Sequence, residues 1–430
     1  MNEQTKTMNE QTKTSDSWPY LVQISFNYLG WFLCWTVATG YIVPNMLLKM
    51  VNDSEKNTRL GLMFGAANGV MLIMVPLVGT LSDRLQWRLG RRRPFYLSAT
   101  FSVAILILLV ARSNYYATLF ALMLLMHAAY SLWLPNYALI RDTVPLQRRG
   151  RISGLANITS TLGIMFGHIL APRFIELKQM LGLALIAGSV NILSNLWVAL
   201  GIREKRPANG PVQNISSWKE IYVPRLNGAN SLGWLAAVNL LTQMGAVAMI
   251  CFLLYFIKDQ IDRVHFNETF RNVSLIATVA AILSSIVAGM VADLFGRKRV
   301  LIAACVLQIV CMLNFLVFPW VHSTLYFGGF LFGAGNGAYW SIYWTMLSDM
   351  VPEGETSKYI GLIQYTSIVP WAVVPAIPGP IVDNFGAASG KGYNILFTVI
   401  VLLLATGVLL IRQLPETLKS DSKTLSTDIG

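Results

Sequence analysis

Long apolar runs separated by short polar stretches recur along the whole 430-residue chain. A helix needs about 20 mostly apolar residues to cross a hydrocarbon core of roughly 30 Å, and twelve such runs can be marked off. In the amino half they cover 20–48, 60–81, 94–111, 116–140, 152–172 and 179–202. In the carboxyl half they cover 231–257, 269–292, 300–320, 324–347, 359–382 and 393–411. The pattern predicts an all-α polytopic membrane protein with twelve transmembrane helices. The longest polar gap, 203–230, holds Pro207, Gly210 and Pro211 and falls almost midway. It predicts a linker between two six-helix bundles, one over 19–202 and one over 231–412. The opening "MNEQTKT" repeats at once and carries no apolar core, so 1–18 reads as a disordered tail with no cleavable signal peptide. Residues 413–430 read as a second tail.

Composition narrows the class. Charged residues make up 13% and hydrophobic ones 54%, whereas a soluble domain runs near a quarter charged. The net charge of +12 is therefore not a nucleic-acid footprint, and no nucleic-acid partner is expected. The basic residues instead orient the chain. Eighteen of the 33 Lys and Arg fall in loops on one side and five in the tails; ten fall on the other side, counting Arg271 at the outer start of the eighth run. The positive-inside bias then puts both termini in the cytosol of a cell membrane, plasma or inner.

The two halves also repeat. "NYLGW" at Asn27 to Trp31 returns as "NSLGW" at Asn230 to Trp234. "GTLSDRLQWRLGRRR" from Gly79 returns in shorter form as "GMVADLFGRKR" from Gly289. "RDTVPLQRRGRISGL" returns without gaps as "SDMVPEGETSKYIGL", aligning Asp142 with Asp349 and Pro145 with Pro352. Three matches in one order make a pseudo-symmetric pair of bundles.

On these residues the chain resembles the major facilitator superfamily over nearly its whole length. The loop signature is carried by Gly79, Asp83, Arg84, Gly90, Arg91 and Arg92. The longer form Ser82 to Phe95 is similar to the loop of sucrose carriers and of glycoside, pentoside and hexuronide cation symporters. The resemblance implies the major facilitator fold, alternating access, and a central cavity between the halves. It also implies a cytosolic latch. Asp83, Arg84, Arg91, Arg92 and Asp142 form one set, and Asp293, Arg297 and Asp349 form its repeat-related counterpart. Charge alone allows a plainer reading, a topogenic loop meeting anionic headgroups.

The interior is short of charge. All 21 acidic residues fall in tails, loops or ends of runs, leaving His127 and His168 as the titratable histidines inside. Sucrose carriers place a coupling Asp in the fourth span, at a position that is Met126 here, so simple carboxylate-based proton symport is not supported. His168, which shares a helical face with Asn157 and Thr161, and His127 are the coupling candidates for a proton or sodium. Each has a plainer role as an interhelical hydrogen-bond partner.

Solute-binding candidates are polar and aromatic side chains within the runs. Asn336, Tyr339, Trp340 and Tyr343 recur at helical spacing on one face. Shifted by the 207-residue repeat, that face falls on Ala129, Leu132, Trp133 and Asn136. Asn27 and Trp31, Asn239 and Gln243, and Gln364 and Tyr365 complete the set. Aromatic faces and amides suit a neutral polyhydroxylated ligand, though the same residues could simply pack helices. Gly65 with Gly69, and Gly333 with Gly337, match the small-residue spacing for close helix contact.

Other chemistry is lacking in the pattern. The four cysteines lie within runs and suggest neither disulfides nor a metal set. There is no Walker loop, and no catalytic residues, metal or cofactor are expected. The reading is a secondary transporter, not an enzyme, acting as a monomer in the lipid bilayer on a small neutral or weakly polar solute such as a sugar or glycoside. The alternatives are efflux of an amphipathic metabolite or drug, and a non-transporting receptor or assembly factor on the same fold.

Overall fold

The computed structural model describes residues 18–84, 90, 92–136, 139, 143–144, 148–201, 230–318, 321–350 and 366–417. Among them every regular element of length is helical. The first unit, Met1–Val223, contains α1 (Trp18–Trp35), which runs on through a π-helical segment, Thr36–Ile42, into α2 (Val43–Leu47). It continues with α3 (Lys56–Arg84), α4 (Arg93–Arg112), α5 (Tyr116–Ser131), α6 (Arg149–Glu176) and α7 (Met180–Gly201). The second unit, Pro224–Gly430, contains α8 (Asn230–Gln260), α9 (Phe266–Phe295), α10 (Arg297–Val317) and α11 (His322–Met350). A helix over 366–373 and a 3-10 turn, Val374–Ala376, then lead into α12 (Pro378–Phe385), and α13 (Lys391–Ile411) follows.

Ten of these segments are long and apolar enough to cross a membrane, and α5 is a shorter apolar helix. With α11 they account for twelve. The protein is a multi-pass membrane protein, so large apolar side chains left outside the core, such as Leu200, Met290 and Leu294, suit a lipid-facing surface rather than a liability.

Within each unit the same helix pairs touch. In the first, α3 packs on α5, α4 on α5 and α7, and α1 on α7. In the second, α9 packs on α11, α10 on α11 and α13, and α8 on α13. The sequence repeat is thus also a repeat of contacts. Small residues set the closest approaches, as expected where lipid removes any hydrophobic drive between helices. A Cβ at Gly333 or Gly337 would strike the backbone of Ala277 or Ala281 on α9. In the first unit Gly163 of α6 lies against the Leu29 backbone in the same way, and Gly167 lies against the Thr36 side chain. The other expected glycine contact is corrected, because Gly69 has open space where its Cβ would be.

The fourth span, expected to run to Ile140, is interrupted within its length: α5 ends at Ser131, the chain tightens over 132–134, and Pro135, Asn136 and Leu139 are helical again, with Ile140 outside the described residues. The amides of Leu132, Trp133 and Leu134 bond to carbonyls three residues back, Ala129, Tyr130 and Ser131, at 3.1–3.2 Å. Pro135 explains this, since it has no N–H to offer the Ser131 carbonyl and its ring opposes a continued α-helix.

The start of the expected C-terminal tail is held in place. The Glu416 carboxylate accepts the backbone N–H groups of Arg297 (2.9 Å) and Lys298 (3.2 Å) at the N-terminus of α10. Lys298 Nζ donates to the Arg412 and Leu414 carbonyls. A carboxylate here satisfies orphan amides and complements the positive end of the helix dipole.

Candidate functional site

In the first unit, α1 and the fourth span meet along a ladder of aromatic rings and amides. Asn27 Nδ2 donates to Asn136 Oδ1 at 2.6 Å. One turn along α1, the Trp31 ring stacks on Trp133, with centroids 4.6 Å apart and planes 10° from parallel. Tyr28 meets Trp133 edge-on at 5.1 Å, and Trp31 meets Tyr130 edge-on at 4.9 Å. Trp35 closes the ladder against Tyr130 and His127, at 4.8 and 5.5 Å.

The tight turn before Pro135 builds this face. Residues three apart eclipse in a 3-10 turn, so Tyr130, Trp133 and Asn136 line up and all reach α1. In an ideal α-helix those three would fan around the axis by about 60° per step.

The ladder is dry but not fully bonded. Asn27, Asn136 and His127 are completely buried, and Trp31 is 6% and Trp133 2% exposed. Yet among the described residues no partner meets Asn27 Oδ1, Asn136 Nδ2, Tyr130 Oη or His127 Nε2. His127 Nδ1 lies 3.0 Å from the Met123 carbonyl, so it must carry the proton to donate there. In the neutral ring Nε2 is then a bare acceptor. Each unmet buried group costs about 1–3 kcal/mol. Four such groups lie beside a tryptophan stack.

His168, the other coupling candidate, lies elsewhere in the unit. Its Nδ1 is 2.9 Å from the Tyr41 hydroxyl, and Tyr41 belongs to the π-helical segment. Pro44 sits just past that segment without an N–H, and Asn45 Nδ2 donates to the Tyr41 carbonyl at 2.9 Å. Such π-segments collect at functional sites. Asn157, which shares a face with His168 in sequence, is exposed.

The second-unit candidates make a different arrangement. Asn239 Nδ2 donates to Thr366 Oγ1 at 2.8 Å and to Ser367 Oγ at 3.0 Å, and its Oδ1 accepts from the Tyr339 hydroxyl at 3.2 Å. Tyr339 stacks on Tyr343, and Trp340 packs edge-on against both and parallel to Trp344. Asn336 and Trp340 are half-buried. Gln243 Nε2, 4% exposed as a residue, has no partner among the described residues. Gln364 and Tyr365 lie outside the described residues.

For the latch set, Arg297 forms an ion pair with Asp349 through Nη1 and Oδ2. Both belong to the second unit, so this pair joins the start of α10 to the end of α11 within one half. Arg92 is buried and its Nη1 donates to Ser82 Oγ at 2.9 Å. Asp293 sits exposed near the end of α9. Arg91 and Asp142 lie outside the described residues, as do the side chains of Asp83 and Arg84.

Tyr28, Trp35 and Tyr130 were missed as wall residues, although Trp31 to Trp35 and Tyr130 to Trp133 are one helical turn apart. Gln308 was missed as well. It is 1% exposed on α10, and neither of its amide atoms has a partner among the described residues. A single polar residue in an apolar run is the signal that could have flagged it.

This is the fold of a multi-pass membrane protein built from two repeat-related helical units, and the comparisons give its family. The chain belongs to the MFS/sugar transport protein family, whose model matches residues 37–411. It is 31% identical over 153 residues to a Na(+), Li(+), K(+)/H(+) antiporter of Planococcus maritimus, covering 34% of each chain. It is 27% identical over 216 residues to the general alpha-glucoside permease of Schizosaccharomyces pombe, covering 44% of this chain and 37% of the permease. The matched stretches thus span little more than a third of those relatives. The solved D-xylose-proton symporter shares the fold, with a TM-score of 0.69 at 14% identity over 92% of this chain and 97% of the symporter.

Proposed function

We propose that this protein is a secondary carrier for a small neutral hydroxylated solute, a sugar or glycoside, working by alternating access with both termini in the cytosol. The observation that carries the solute class is the buried Asn136 amide beside Trp133: its Nδ2 is a donor with no partner among the described residues, and its Oδ1 accepts from Asn27. Solute hydroxyls can accept from the one and donate to the other. Trp133 offers a flat face for the apolar side of a sugar ring. With no carboxylate among the described residues of the wall, a cationic solute would meet an uncompensated desolvation cost there. The similarity to an alpha-glucoside permease and to a D-xylose-proton symporter supports the same solute class.

Proton or sodium coupling is part of the same proposal, with His168 at the Tyr41 bond as its candidate residue and His127 assigned to the solute wall. Counterflow in proteoliposomes tests the carrier reading. Vesicles preloaded with unlabelled maltose, sucrose or xylose should accumulate the labelled sugar transiently, and loss of that overshoot in Asn136→Ala is expected. No exchange of any of these sugars by correctly inserted protein overturns the sugar assignment. Uptake at pH 5.5 and 7.5, with and without sodium, then tests coupling. The pH response should vanish in His168→Gln, and its full retention there removes His168 from the mechanism.

A further inference from the structure

We infer that the solute subsite on the fourth span is occupied, in the state seen here, by the protein's own first helix, and that solute binding is an exchange in which Trp31 leaves Trp133 and Asn27 leaves Asn136. This rests on the proposed sugar-binding role of Trp133 and Asn136 and adds a distinct function for the α1 side chains. They are competitors of the solute, not contacts to it.

The geometry supports mimicry on both counts. A sugar ring on Trp133 would lie flat against the indole, and Trp31 already lies there, 4.6 Å away and 10° from parallel. A solute hydroxyl would bond to the Asn136 amide, and Asn27 Nδ2 already does so at 2.6 Å. The substitute is imperfect in one specific way. A single hydrogen bond joins the two amides, leaving Asn27 Oδ1 and Asn136 Nδ2 unmet in a dry contact. The apolar half of the mimicry is complete while the polar half is not, and a shut site that must reopen needs that imbalance. A fully bonded amide pair would hold α1 down, whereas an under-bonded one is displaced by a ligand whose hydroxyls meet both ends of the Asn136 amide.

Backbone features allow the exchange. The π-helical segment directly after α1 and the tight turn at Leu132–Asn136 flank the ladder at its two ends. Both are places where helix hydrogen bonding already departs from the α pattern. Gly163 of α6 is seated on Leu29 of α1 and Gly167 on Thr36 of the π-helical segment, so a swing of the Trp31 side chain away from Trp133 need not disturb those contacts.

The inference makes an unusual prediction, that removing an aromatic side chain next to the site tightens binding. Binding of labelled maltose, sucrose and uridine to purified protein is measured by scintillation proximity for wild type, Trp31→Ala, Trp31→Leu, Asn27→Ala and Asn136→Ala. Trp31→Ala is expected to lower Kd about 3- to 10-fold, the equivalent of one lost ring pair. Trp31→Leu, which keeps apolar volume but cannot stack, should do the same and serves if the alanine variant does not fold. Asn136→Ala should raise Kd about 10-fold. If Asn136→Ala weakens binding while both Trp31 variants weaken it or leave it unchanged, Trp31 is a solute contact and the exchange is wrong. If no probe binds wild type, or if Asn136→Ala has no effect, the sugar reading beneath it fails instead. Tighter uridine than sugar binding also sinks that reading, leaving the exchange to be judged on uridine.

Discussion

The fourth and tenth spans occupy the same place in the internal repeat, 207 residues apart, and they differ in nearly everything that matters for a site. In the first unit α5 stops at Ser131 and the chain tightens toward Pro135. In the second, Ile342 stands at the repeat position of Pro135, and α11 runs unbroken from His322 to Met350. Where the fourth span has bulky Met126 and Tyr130, the tenth has Gly333 and Gly337 seated on α9. The repeat-related tryptophans follow suit. Trp133 is buried and stacked on Trp31, while Trp340 is half-buried. Trp234, the partner of Trp31 in the repeat, is 40% exposed. Duplicated sequence has therefore yielded one half in which Asn27 and Asn136 share a single bond beside a tryptophan stack and one half in which Asn239 is engaged through both amide atoms, with unmet atoms there, among the described residues, on Gln243, Gln308 and Tyr343.

The tryptophans carry the largest expected difference between the two halves. Trp133→Ala removes a fully buried ring and should cost about 3–5 kcal/mol. Trp340→Ala, which starts half-buried, should cost less than half as much. Thermal unfolding in detergent checks the pair, and equal losses would refute the asymmetry.

The glycines come next. Gly337→Leu must push against the Ala281 backbone and should destabilise by about 1–3 kcal/mol or more. Gly69→Leu, with open space before it, should stay within about 0.5 kcal/mol. The same melting assay reads both, and sensitivity at Gly69 would return that residue to a helix contact.

A subtler change sharpens the role of the proline. Pro135→Ala restores an N–H for the Ser131 carbonyl, which should extend α5 and swing Asn136 from Asn27. A double-mutant cycle between Asn27→Ala and Asn136→Ala should show coupling of about 1 kcal/mol in the native background. In the Pro135→Ala background that coupling should fall to near zero. Persistence of the coupling would mean that Pro135 does not set the register of the ladder.

The smallest expected effect is a pH dependence at the turn between α8 and α9. Partial burial would raise the Asp262 carboxyl, but the N–H groups of His265 (2.7 Å) and Val264 (3.0 Å) and the Thr269 hydroxyl together hold it below the ordinary carboxylate value. A carboxyl lowered in the folded state stabilises it above the unfolded value, and that contribution fades as pH falls through the folded one. Asp262→Asn should therefore lower the melting temperature slightly at pH 7, with the difference from wild type shrinking below about pH 4. A difference that grows on acidification would reverse the sign and the argument.

Much of the fold was legible because bilayer thickness writes itself into chain length. Spans such as 94–111 and 393–411 were marked within two residues of the helices observed, Arg93–Arg112 and Lys391–Ile411. The interruption inside the fourth span was not legible, because hydropathy is blind to the hydrogen bond that Pro135 cannot make. Of the candidate site, Asn27, Trp31, Trp133 and Asn136 were read from periodicity and repeat, and the structure brings all four into one ladder. Tyr130 and His127 join them there, although the tyrosine was passed over and the histidine was considered for its charge.

The sequence by itself determined that this chain crosses a membrane many times, that its two halves repeat, and that its interior carries amides and aromatics in place of carboxylates. These follow from composition and spacing, which are properties of short stretches of chain. Only the tertiary structure decided which tryptophan is stacked, which asparagine is left under-bonded and which glycine is a seat for a neighbouring helix. Those outcomes depend on what an element meets across many residues of sequence, such as Asn27 meeting Asn136 or Gly337 meeting Ala281, and no local pattern encodes that meeting.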